Sequence, residues 1–137
     1  MAMPQIEGIL EVKIDGHTLL KVPRNSYNEY AVLEYAVDLE RRACRIVVKY
    51  FKKKGISGAV LGKFSLIGYI GTVIPNMFNA YNVSLMGNQV EIEGGGTIVI
   101  VDEEKGYRKE IPASTITIKR HRSSKDFTQF YNVLQRC

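Results

Sequence analysis

The sequence contains few of the residues that build metal, redox or disulfide sites. In 137 residues it has no tryptophan, two cysteines, four prolines and two histidines. His17 and His121 stand outside any motif with metal-ligand spacing, and Cys44 and Cys137 are too few and too separate for a disulfide framework. The sequence therefore predicts no metal, no cofactor and a reducing compartment such as the cytoplasm.

Long hydrophobic runs are also missing. The most apolar stretch, residues 59–78, is interrupted by Lys63 and Pro75, and it falls short of the roughly 18 uninterrupted apolar residues that a spanning helix needs. Residues 1–8 do not show a basic segment followed by an apolar run, as a secretory signal would. We therefore predict neither a membrane anchor nor secretion.

Length, composition and charge indicate one basic globular domain. The chain is 45% hydrophobic and 24% charged, which is ordinary for a folded protein of this size, so residues 1–137 are predicted to form a single domain. The chain has 19 lysines and arginines and 14 acidic residues, which gives a net charge of +5. The resulting positive field favours anionic partners.

The central prediction is one long amphipathic helix from about residue 26 to residue 54. Ser26 and Glu29 have the spacing of a capping box, and no glycine or proline follows until Gly55, which suits the position just after a helix. Before it, the alternation over residues 6–14, the Asp15-Gly16 turn and the return over residues 18–22 predict a β-hairpin. The predicted fold is α+β, with the helix packed on a mainly antiparallel sheet.

The second half of the chain is predicted to be mostly strands. Short β-rich runs separated by turn residues occupy residues 81–86, 89–93, 97–102, 107–111 and 115–120, with 94–96 as a glycine turn. Residues 56–79 are predicted to form two strands with glycine bends. A short C-terminal helix is predicted from Ser123, with Asp126 as its capping partner and a docking stripe of Phe127, Phe130, Tyr131 and Leu134.

On a helical wheel, the predicted long helix carries more apolar surface than one sheet covers. Its apolar arc spans roughly 220°, about twice what a surface helix needs. The excess is covered either by the glycine-rich segment or by a second copy of the chain, which would use Tyr27, Tyr35 and Tyr50 as an interface. This width is the ground for predicting self-association.

The charged side of the same wheel has two interpretations. Its acids come early and its bases late, which complements the helix dipole and allows ion pairs one turn apart. Alternatively, its basic end forms a phosphate-contacting ridge, to which the basic segment near residue 120 adds. The residues of this ridge are Arg41, Arg45, Lys49, Lys52, Lys53, Lys119, Arg120 and Arg122.

Glu40 falls inside the apolar arc, where an unpaired carboxylate is costly. It is either paired with a cation or a functional acid.

The sequence leaves three functional hypotheses. The first is a non-enzymatic, self-associating binding or assembly protein, and the second is a nucleic-acid or polyanion binder. The third is a small enzyme whose site joins distant residues, with Glu40, His17 and His121 as its titratable candidates.

Overall fold

Antiparallel β-strands make up most of the structure, a computed structural model that describes residues 4–38, 43–54, 59–71, 78–102 and 107–135. The described residues form nine strands in one sheet and one helix. The elements are β1 (Gln5–Glu7), β2 (Ile9–Ile14), β3 (His17–Lys21), β4 (Glu29–Asp38), β5 (Ala43–Lys54), β6 (Ala59–Gly71), β7 (Phe78–Met86), β8 (Gln89–Asp102), β9 (Tyr107–Arg120) and α1 (Lys125–Leu134).

The order of the strands brings the two ends of the sheet together. The order is β1-β4-β5-β6-β8-β9-β2-β3, with β7 paired to β8. β1 and β2 follow each other in the chain, yet β1 pairs with β4 and β2 pairs with β9. Gly8 lies between them with a φ of +80°, a conformation that glycine adopts without steric cost. The single strand predicted for residues 6–14 is therefore broken at Gly8, and the sheet curls to meet itself there.

The predicted long helix is wrong, because residues 29–38 and 43–54 form the antiparallel strands β4 and β5. Tyr30 lies opposite Phe51, and Asp38 lies opposite Ala43. Ala31, Leu33 and Tyr35 alternate along β4 as buried residues, while between them Glu34 is also buried and Val32 is partly buried. A strand that is covered on both faces has a nearly continuous apolar sequence, and a helical wheel converts that sequence into an over-wide arc.

The predicted capping box is half formed, but it precedes a strand. The Glu29 N–H donates to Ser26 Oγ at 3.1 Å. The Ser26 N–H donates to the Pro23 carbonyl at 3.2 Å, and the Glu29 carboxylate accepts from the Tyr50 hydroxyl at 2.8 Å. Such side-chain contacts to the backbone also occur in turns, so the spacing alone does not identify a helix.

In the second half of the chain, the antiparallel strands were predicted correctly but were divided too finely. Residues 89–93 and 97–102 belong to one strand, β8, so 94–96 are not a turn. Residues 107–111 and 115–120 likewise form β9, and residues 59–71 form β6. The register between β8 and β9 shifts between Glu93 and Gly96, where the glycines weaken the strand without ending it.

The predicted β2–β3 hairpin is present and is fastened to β9. Asp15 and Gly16 have φ values of +50° and +80°, as a two-residue hairpin turn requires. Asp15 Oδ1 accepts from the N–H groups of Ser114 and Thr115 at 2.8 and 2.9 Å. The turn therefore fixes β2 against β9 as well as against β3.

The C-terminal helix was also predicted correctly, and it covers the core. Phe127 and Phe130 are completely buried, and the Phe130 ring packs on Tyr35 with centroids 5.1 Å apart. The helix begins at Lys125 after an extended Ser124, whose side chain does not cap it, so the predicted start at Ser123 is early. No helix in the described part of the chain has the length and apolarity to span a membrane.

Candidate anion-binding site

The basic ridge predicted along the long helix is not formed, because that helix does not exist. Arg41 lies outside the described residues. Arg45, Lys52 and Lys53 lie on β5, where their side chains are outside the described part of the structure. Lys49 is described, and its Nζ lies 3.2 Å from both carboxylate oxygens of Glu34. Lys49 therefore belongs to an ion pair.

The buried carboxylate is Glu34. Glu40, the predicted buried charge, lies outside the described residues. Glu34 is only 6% exposed, and besides Lys49 it accepts from Gln5 Nε2 at 2.6 Å. Such pairing satisfies a carboxylate that burial would otherwise destabilise. The sequence did not reveal that Glu34 is buried, because a helical wheel cannot show that β1 pairs with β4.

Arg120 joins the end of β9 to neighbouring elements. Its guanidinium donates to the Glu7 carbonyl at 3.0 Å and to Ser124 Oγ, and it lies over the Phe127 ring. Burial lowers the pKa of Arg120, against the attraction of Asp126, which raises it. These contacts indicate a structural role, while the adjacent Arg122 is exposed.

Lys119 lies in a basic cleft of ≈ 170 Å³ that the sequence did not reveal. Glu11 on β2 is opposite Lys21 on β3 and opposite Lys119 on β9. Arg24, in the turn after β3, lines the same cleft. Among the described residues that line it, three are cations and Glu11 is the carboxylate. The Glu11 carboxylate also forms an ion pair with Lys13, whose Nζ lies 3.4 Å from Oε1.

A second cleft, which we call the apolar cleft, adjoins the basic cleft. It has a volume of ≈ 230 Å³ and shares Leu10, Val22 and Pro23 with the basic cleft. Tyr30 lines it, and its polar lining includes Asn25, Ser26, Glu29 and His121. Arg24 Nη1 donates to His121 Nδ1 at 3.0 Å, so one hydrogen bond links the two clefts. Because arginine only donates, His121 Nδ1 is the acceptor of this bond.

The three tyrosines proposed as an interface do not share one surface. Tyr27 is 93% exposed, whereas Tyr35 is buried against Phe130. Burial, and to a smaller degree Asp126, raises the pKa of Tyr35. Tyr50 is half-buried and packs against the core. Burial and the hydrogen bond to Glu29 raise the pKa of Tyr50 to about 12.

Deprotonation of Tyr50, which is opposed first by burial and then by the hydrogen bond to Glu29, is expected to make stability fall at high pH. The pKa of Tyr50 is raised in the folded state from 10 to about 12, so its contribution is complete below pH 10 and is lost as the pH rises toward about 12. The difference in unfolding free energy between the unaltered protein and Tyr50→Phe is therefore expected to be constant below pH 10 and to shrink above it. A difference that is independent of pH in urea unfolding would contradict the assignment.

The remaining titratable candidates do not converge. His17 lines a third cleft of ≈ 310 Å³ beside β3, while His121 lines the apolar cleft. In the described residues, no group of three histidines, cysteines or carboxylates is arranged to hold a metal ion. The described structure therefore gives the enzyme hypothesis no joint site.

Comparison with known proteins adds no relative. No family model matches the chain, and neither does any curated protein or solved structure. The clefts themselves are therefore the basis for a functional proposal.

Proposed function

We propose that the protein binds a phosphate polyanion in the basic cleft. The observation that supports this function is the convergence of Lys21, Arg24 and Lys119 around the single carboxylate of Glu11 among the described lining residues. Lysine and arginine side chains on one face are the usual contacts to phosphate groups. The chain's net charge of +5 adds a field of the same sign.

The number of cations in the basic cleft sets how steeply the binding constant falls with salt concentration. Each cation that neutralises a phosphate releases counterions and contributes a slope of about −0.7 to log K against log salt for a single strand. Lys21, Arg24 and Lys119 together then give a slope of about −2. Sequence-independent binding of this type has dissociation constants of about 10⁻⁴ to 10⁻⁶ M at physiological salt.

Fluorescence anisotropy with a labelled single-stranded oligonucleotide of mixed sequence tests the proposal. We expect the oligonucleotide to bind at low salt and its binding constant to fall as salt is added, with a slope of about −2 in log K against log salt. We also expect inorganic polyphosphate to compete with the oligonucleotide. An oligonucleotide that does not bind at low salt, or that binds independently of salt, would contradict phosphate binding.

Self-association is the second candidate, although its original ground has changed. The over-wide apolar arc belongs to two strands and no longer indicates a helix that needs a partner. The structure offers a different observation in its favour: among the described strands, β3 pairs only with β2. An edge strand presents unpaired backbone groups that a second chain can bind.

Sedimentation equilibrium tests self-association through β3. A dimer that Thr18→Lys converts into a monomer would support it, because lysine on an edge strand blocks pairing and Thr18 is exposed. A single 15.5 kDa species at high concentration would contradict it.

A further inference from the structure

We infer that the apolar cleft holds one unstacked base of a single-stranded nucleic acid whose neighbouring phosphate lies in the basic cleft. This inference rests on the proposed phosphate binding and names its ligand class. Its starting observation is that the two clefts share the wall of Leu10, Val22 and Pro23. A nucleotide likewise has a charged group and a planar apolar group joined by one sugar.

The lining of the apolar cleft suits a planar ring. Tyr30 is 39% exposed and stacks on Phe51, with ring centroids 4.9 Å apart and planes inclined by 21°. This contact fixes the orientation of the Tyr30 ring before any ligand arrives. Aromatic rings held in this way are the stacking surfaces of single-strand binding proteins, because every base has a face that can stack.

The size of the apolar cleft limits what it holds. Its ≈ 230 Å³ is below the roughly 300–1,000 Å³ of sites for drug-sized ligands, so one ring system fits and a larger ligand does not. Asn25 and His121 contribute polar groups to the lining. A base in a duplex is already stacked and paired, so only a single strand presents a base that can enter.

The charges of the two clefts orient the ligand. Glu29 lines the apolar cleft, and its carboxylate repels a phosphate there. The cations of the basic cleft attract the phosphate, and Arg24 reaches the boundary between the clefts through its hydrogen bond to His121. The base therefore enters the apolar cleft, and the phosphate lies in the basic cleft.

The test compares an oligonucleotide with an abasic strand of equal length and charge, using the unaltered protein. Stacking of one base is worth roughly a 5- to 150-fold gain in affinity, and we expect the oligonucleotide to bind tighter by a factor in that range. Tyr30→Ala is expected to remove this gain, whereas Tyr30→Phe retains it.

Tyr81→Ala is the matched control, because Tyr81 is a strongly exposed tyrosine on β7. We expect it to bind the oligonucleotide as the unaltered protein does. Equal, salt-dependent affinity for the oligonucleotide and the abasic strand would overturn the base-binding inference and leave phosphate binding intact. The same loss in Tyr81→Ala as in Tyr30→Ala would also overturn it. No binding of either strand at low salt would overturn both proposals.

Discussion

Replacing Lys21 and Lys119 together with glutamate is expected to weaken oligonucleotide binding on the order of 100-fold at low salt. The change converts a cleft whose described lining has three cations and one carboxylate into one with a single cation and three carboxylates. Each unit of charge about 4 Å from a phosphate is worth ~1 kcal/mol in water, before screening by salt. The salt slope is expected to fall by about 1.4, since two phosphate contacts are lost.

A variant with the same change in net charge separates a local effect from a global one. Arg108 and Lys109 are exposed at the beginning of β9, away from the residues that line the basic cleft. We expect Arg108→Glu combined with Lys109→Glu to reduce affinity only a few-fold, through the overall field. An equal loss in both double variants would show that net charge alone governs binding.

Phe127→Ala is expected to lower the free energy of unfolding by about 3–5 kcal/mol. The Phe127 ring is completely buried, with the Phe130 ring 6.0 Å away, and the Arg120 guanidinium lies over it at 5.8 Å. Removing it leaves a cavity between α1 and the sheet and takes a packing surface from Arg120. The loss is large beside the roughly 5–15 kcal/mol that stabilises a domain.

Urea unfolding of Phe127→Ala and of Gln129→Ala measures this effect. Gln129 is an exposed neighbour on the same helix, so its replacement is expected to change stability by no more than about 0.5 kcal/mol. Similar small changes in both variants would mean that α1 does not close the core.

Features set by neighbouring residues could be predicted from the sequence. The Asp15-Gly16 turn needs positive φ angles that these residue types supply, and the α1 stripe has a period of 3.6 residues that strands do not produce. The β4–β5 region misled the prediction because Leu33 and Tyr35 are buried on one face of β4 while Glu34 is buried on the other. Alternation disappears when both faces of a strand are covered.

The candidate site depends on pairing between distant segments, which no local pattern records. Lys119 was selected for its charge, but Lys21 and Arg24 were not, because neither lies in a run of basic residues. The three meet because β2 pairs with both β3 and β9, which places Glu11 between Lys21 and Lys119. The break at Gly8 permits this arrangement, since it allows β1 and β2 to pair with opposite ends of the sheet.

Lysine footprinting by mass spectrometry tests the basic cleft most directly. The protein is acetylated with and without a single-stranded oligonucleotide at low salt, and the modification of each lysine is compared. We expect the oligonucleotide to protect Lys21 and Lys119 strongly and to leave the exposed Lys109 reactive. Equal protection of Lys109, or unprotected Lys21 and Lys119 in a complex that anisotropy shows to be formed, would contradict binding in the basic cleft.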